Sequence, residues 1–122
     1  MDVPPGRRAA IVAGLRTPFA RSGTVLRDVP AVALARHAAR ELLYRAELDG
    51  REVDQVIWGQ VVPSVLVPNV AREVSLLPQF PRTIPAYSLN RACASSAQAV
   101  ADATTRSCRV SPTWCWPAGS NR

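Results

Sequence analysis

The chain switches between two apolar periods. Residues 9–15, Ala-Ala-Ile-Val-Ala-Gly-Leu, are a continuous apolar run closed by Arg8 and Arg16, the pattern of a buried strand. Arg16 to Thr24 carry Pro18 and Gly23 and read as loop. From 31 to 46 the spacing becomes helical: Ala31, Leu34, Ala35, Ala38 and Leu42 fall at i, i+3, i+4, i+7 and i+11. Asp28 and Pro30 stand where a helix start belongs, Glu41 and Arg45 form an i, i+4 pair, and Asp49-Gly50 closes the segment.

Residues 53–62, Val-Asp-Gln-Val-Ile-Trp-Gly-Gln-Val-Val, predict a second strand, and 63–68 a loop between prolines. Asn69 is placed to cap a short helix reaching about Leu76, with Glu73 favourable near its start. Pro78, Pro81 and Pro85 mark a linker, Ala86 to Asn90 a third strand, and an Ala-rich stretch from about Ala94 to Thr104 a further helix. Strands alternating with helices predict an α/β sheet covered by helices.

The pattern stops near Ser107. Residues 108–122 hold two of the three Trp and two of the three Cys, no acidic residue, and no helical or alternating period. If GC-rich codons are written for this stretch and the first two bases dropped, it re-reads as Pro-Gly-Glu-Pro-Asp-Val-Val-Leu-Ala-Gly-Gly-Val-Glu-Ser. That supplies the strand the alternation asks for next. The third base of each codon is free in this re-reading, whereas the other two are mostly fixed. The expectation is therefore a domain portion over 1–107 and an aberrant, frameshifted tail over 108–122. The competing reading is a genuine unstructured tail.

Composition narrows the classes. With 48% apolar residues the chain can form a core, and no apolar run approaches the ~18 residues of a membrane helix. The start lacks a secretory pattern, so a cytoplasmic location is expected. All 15 basic residues are Arg, as a GC-rich coding sequence produces, and the net charge is +6. The arginines are scattered and have no aromatic residues between them, which argues against nucleic acid. An anionic small molecule suits the positive charge better. Three cysteines, with no CxxC and a single histidine, give neither a disulfide framework nor a metal cluster. His37 lies on the polar side of its helix and reads as a surface residue.

Cys93 is the residue with chemistry to offer. It falls between a predicted strand and the start of a helix, where free amides and the helix dipole favour a thiolate and a developing oxyanion. Ala92, Ala94, Ser95 and Ser96 leave the sulfur accessible. On these residues alone, a buried small hydrophobe competes with a nucleophile.

Four motifs in order decide the matter: Arg16-Thr17-Pro18-Phe19, Gly59-Gln60-Val61-Val62, Asn69-Val70-Ala71-Arg72-Glu73 and Asn90-Arg91-Ala92-Cys93-Ala94-Ser95-Ser96. Over residues 8–104 the chain resembles the N-terminal part of the thiolases, in particular the 3-ketoacyl-CoA thiolases of fatty-acid β-oxidation. The re-read tail resembles the strand that follows the nucleophile helix in that family. The resemblance implies a thiolase-like α/β fold, here an incomplete N-terminal half with helices packed on a mixed sheet. It implies acyl transfer between a 3-ketoacyl-CoA and CoA through a Cys93 thioester, with coenzyme A thioesters as substrates and no tightly bound cofactor or metal. A homo-oligomer, or a complex with a multifunctional β-oxidation subunit, is a family possibility.

The resemblance also assigns the activating histidine to a Gly-His-Pro motif and the second, acid/base cysteine to a Cys-x-Gly motif, and this sequence contains neither. The 122 residues alone are thus expected to lack turnover. A ketoacyl-synthase-like condensing enzyme and a non-catalytic truncated product remain the alternatives.

Overall fold

The fold is organised by one strand, β1 (Gln55–Gln60), whose six residues are all buried because helices cover both of its faces. The computed structural model describes residues 8–109 and 115–120. In chain order it has α1 (Ala31–Arg45), a 3₁₀ turn at Gly50–Glu52, β1, α2 (Val70–Ser75), β2 (Ala86–Leu89), α3 (Ser95–Arg109) and β3 (Cys115–Ser120). Alternate residues of β1 serve different cores. Val56 and Trp58 pack with Ala35, Ala39 and Leu43 of α1 and with Val70, Ala71 and Val74 of α2. Ile57 packs with Ala99 and Ala103 of α3. The molecule is therefore α1 and α2, then sheet, then α3.

The sheet has the order β2-β1-β3. Val56 pairs with Ala86 and Gly59 with Leu89, while Gln55 pairs with Cys115 and Gln60 with Ser120. Both pairings are parallel, where a mixed sheet was expected. The reason is topological: α2 crosses from β1 to β2 and α3 from β2 to β3, and such crossovers return each strand in the same direction.

Two polar clusters fix α2. Asn69 Oδ1 accepts from Arg72 N at 3.1 Å and from the Ser88 hydroxyl at 3.0 Å, and that hydroxyl accepts from Ala71 N at 3.1 Å. The helix start is thereby joined to β2. Arg36 donates to Glu73 Oε2 at 2.7 Å and to the Glu73 carbonyl at 3.1 Å, joining α1 to α2.

Most elements lie where the apolar pattern placed them, including the Asn69 cap and the Glu41–Arg45 pair at 2.8 Å. There are three differences. Residues 9–15 are not a strand: they lack regular structure and are largely exposed. Both edges of the central strand β1 are taken by β2 and β3, so this run makes no ladder with it. The start of α1 has no side-chain cap, because the cap position is Pro30, which carries no acceptor, while Asp28 two residues earlier pairs with Arg27 at 3.1 Å. The third lies in the tail that showed no period, where Cys115–Ser120 forms β3; residues 110–114, 121 and 122 fall outside the described residues. Among the described residues no helix is long and apolar enough to cross a membrane.

Candidate functional site

Five residues, Asn90 to Ala94, join the end of β2 to the start of α3. Parallel sheets bind ligands at the carboxyl ends of their strands, and this connection sits at that end. Cys93 is at its apex and is exposed. Cys108, near the end of α3, is buried. The competing reading of Cys93 as a buried small hydrophobe therefore fails.

The turn is held in a form that its residues do not prefer. Ala92 has φ 45°, the left-handed region that costs a residue with a Cβ about 1–2 kcal/mol. Neighbouring groups enforce it. Asn90 Oδ1 accepts from Ala92 N at 2.9 Å, and Asn90 Nδ2 donates to the Val61 carbonyl at 2.7 Å. The turn is thus tied to the end of β1. The buried Ser95 hydroxyl accepts from Arg91 N at 2.9 Å and donates to the Ala92 carbonyl at 2.6 Å. Ala94 N and Ser95 N donate to the carbonyls of Arg91 and Ala92 at 3.0 and 3.1 Å.

That last pair narrows one expectation. The amides of Ala94 and Ser95 are occupied by the turn's own carbonyls, so neither is available to a developing oxyanion. Below the turn, Gly59 of β1 faces α3. A Cβ there would lie 2.5 Å from the Ser95 carbonyl carbon and 2.6 Å from Ser96 N. Alongside it, the Arg91 guanidinium donates to Gln98 Oε1, Gln98 Nε2 donates to Asp102 Oδ1 at 2.7 Å, and Tyr87 donates its hydroxyl to Asp102 Oδ2 at 3.1 Å.

The other sequence candidates do not join Cys93. His37 is exposed on α1, across β1 from α3, and lines a shallow groove of about 240 Å³ with Arg16, Pro18 and Glu41. Cys115 opens β3. Among the described residues no group of three His, Cys, Asp or Glu is placed to hold a metal ion. Sequence reasoning missed Asn90, Ser95 and Gly59 as supports of the turn. A glycine inside an apolar strand signals close approach of another backbone, and Asn two residues ahead of a tight turn favours a local side-chain bond; both signals were available.

Residues 9–108 match the model of the thiolase N-terminal domain. The chain is 50% identical over 99 residues to a 3-ketoacyl-CoA thiolase of Aeromonas salmonicida, covering 81% of this chain and 23% of that protein. Its structure resembles an acetyl-CoA acetyltransferase of Bacillus anthracis with a TM-score of 0.74 at 33% identity, over 80% of this chain and 25% of the other. It also resembles human mitochondrial 3-ketoacyl-CoA thiolase in complex with CoA, with a TM-score of 0.71 at 34% identity over 76% and 24%. The chain thus spans about a quarter of the length of the relatives it matches.

Proposed function

The chain belongs to the thiolase family, and from that premise we propose that it carries the nucleophile portion of an acyltransferase acting between a 3-ketoacyl-CoA and CoA in fatty-acid β-oxidation. Cys93 is the nucleophile. Its thiolate attacks the keto carbon, the adjacent C–C bond breaks, and acetyl-CoA leaves as a carbanion that must take up a proton. The acyl group stays on Cys93 as a thioester until the sulfur of CoA removes it. No tightly bound cofactor enters this reading.

The observation that carries the proposal is the exposure of Cys93 on a braced turn at the carboxyl end of the sheet. The 50% identity to a protein named a 3-ketoacyl-CoA thiolase favours thiolysis over a carrier-protein condensation. The test is a chimera in which residues 1–107 replace the matched stretch of that relative. It should cleave a 3-ketoacyl-CoA and accumulate acyl adducts on Cys93, and Cys93→Ala should abolish both. Adducts on another residue would overturn the assignment. The 122-residue chain alone should show no turnover, because a positioned general base contributes ~10²–10⁴-fold and the sequence has neither Gly-His-Pro nor Cys-x-Gly.

A frameshifted tail remains the second element of the reading. It is supported by the family match ending at residue 108, where the composition changes. Genomic DNA read past codon 107 in three frames tests it. A thiolase-like continuation in the frame read would refute the shift.

A further inference from the structure

Arg91 stands two residues before Cys93, on the turn that presents the sulfur, and both are exposed. Its backbone amide donates to the buried Ser95 hydroxyl at 2.9 Å. Its side chain is held separately. The guanidinium donates to Gln98 Oε1, Gln98 Nε2 donates to Asp102 Oδ1 at 2.7 Å, and the Tyr87 hydroxyl donates to Asp102 Oδ2 at 3.1 Å. A guanidinium only donates and an ionised carboxylate only accepts. The Gln98 amide therefore serves both in one orientation alone, with its oxygen toward Arg91. Asp102 fixes that orientation, and Tyr87 on β2 fixes Asp102. A long, rotamer-rich side chain is thus tethered beside the turn in advance, and less entropy is lost when a ligand meets it.

This tether leaves the charge in place, because Arg91 gives its proton to a neutral amide oxygen. Among the described residues the ion pairs join Arg27 to Asp28, Arg36 to Glu73 and Arg45 to Glu41, and none involves Arg91. Asp102 is reached only through Gln98, and it lies about 10 Å farther along α3 than Ser95. A positive charge therefore stands by the exposed thiol, at the end of the sheet where ligands bind. A fixed cation in that place raises the local concentration of an anion.

We propose that Arg91, braced by Gln98, Asp102 and Tyr87, selects an anionic thioester for Cys93. The inference rests on the functional reading above and adds to it. A coenzyme A thioester carries a phosphate and a diphosphate, and Arg91 favours that charge rather than the acyl group. It acts on the approach of the substrate and takes no part in bond making.

The test uses the full chain and two alkylating reagents, iodoacetate, an anion, and iodoacetamide, which is neutral. The ratio of their rates at Cys93 is read by peptide mass spectrometry at low salt. A unit charge about 7–10 Å from the sulfur is worth about two- to threefold in that ratio. Arg91→Gln should lower the iodoacetate-to-iodoacetamide ratio by this factor, and about 1 M salt should erase the difference from the wild type. Arg91→Lys keeps the charge and a donor for Gln98, and should retain the wild-type ratio. Arg106→Gln makes the same change in net charge from an exposed site about 16 Å beyond Ser95 on α3, and should leave the ratio unchanged. A turn that is merely loosened alters both rates together and not their ratio. An unchanged ratio in Arg91→Gln overturns the inference. An equal fall in Arg106→Gln also overturns it, by assigning the preference to the net charge of +6. In the chimera, Arg91→Gln should raise KM for the 3-ketoacyl-CoA by about two- to threefold with kcat unchanged, and an unchanged KM would count against the inference. An active chimera with an unshifted labelling ratio sinks this inference alone, whereas an inactive chimera sinks the functional reading and with it the thioester as the ligand.

Discussion

Gly59→Ala is the substitution on which the geometry speaks most directly. An ideal Cβ at Gly59 would lie 2.5 Å from the Ser95 carbonyl carbon, 2.6 Å from Ser96 N and 2.7 Å from the Ser95 oxygen. Ordinary carbon contacts need about 3.5–4.0 Å, so strand and helix must part by about 1 Å. All three atoms are backbone, and no side-chain rotation relieves the clash. Overpacking of this kind costs about 1–3 kcal/mol. Replacing glycine in a strand regains about 0.5–1 kcal/mol of chain entropy. The net loss should be up to about 2.5 kcal/mol.

The displacement also falls on Ser95, whose hydroxyl holds both Arg91 N and the Ala92 carbonyl. Urea unfolding and the iodoacetamide labelling rate of Cys93, followed by peptide mass spectrometry, should therefore both change. Gly14→Ala is the control, since a Cβ there meets nothing within 4 Å, and it should shift stability by less than about 0.5 kcal/mol. A Gly59→Ala chain with the wild-type urea midpoint and labelling rate would refute the contact between β1 and the first turn of α3.

Ser88→Ala should cost about 1–2 kcal/mol in urea unfolding, because the amide of the buried Ala71 loses its acceptor and Asn69 loses a donor. Ala92→Gly should raise the urea midpoint by up to about 1 kcal/mol of stability, since glycine adopts φ 45° without the Cβ penalty; a clear loss would contradict the strain. Arg36→Ala should cost about 0.5–1 kcal/mol, the modest worth of a half-exposed pair, and the deficit should shrink in high salt. Arg36→Lys should restore little of it, because one ammonium does not match the fork that reaches both the Glu73 carboxylate and the Glu73 carbonyl.

Helix α1 was legible because its apolar spacing reports burial. The buried line runs Ala35, Ala39 and Leu43, with Ala31, Leu34, Ala38 and Leu42 half-buried beside it. The predicted stripe was thus one edge of a wider face. Strand β1 was legible for a related reason, as an apolar run of strand length between polar ends. Residues 9–15 are likewise a short apolar run and form no strand. Periodicity reports what a segment must bury, whereas a place beside the central strand depends on what else pairs there, and β2 and β3 hold both edges of β1. β3 shows the converse: Cys115–Ser120 reads as no element and still pairs along the full length of β1, since an open edge accepts backbone whatever its side chains.

The candidate site divides in the same way. Cys93 and Cys108 are the same residue type, near opposite ends of one helix, and composition treats them alike. Their difference is in the backbone. Cys108 is buried at the far end of α3, where a thiol behaves as a small hydrophobe. Cys93 stands outside the helix, on a turn that Asn90 ties to the end of β1 and Ser95 closes from within. None of the bracing groups touches the sulfur in a way that motif spacing reveals, because they act through amides and carbonyls that every residue possesses. A sequence can therefore show which cysteine begins a helix. The reason that cysteine faces solvent lies in a left-handed alanine, an asparagine reaching across to a neighbouring strand, and a glycine whose missing side chain lets the helix start this close to the sheet.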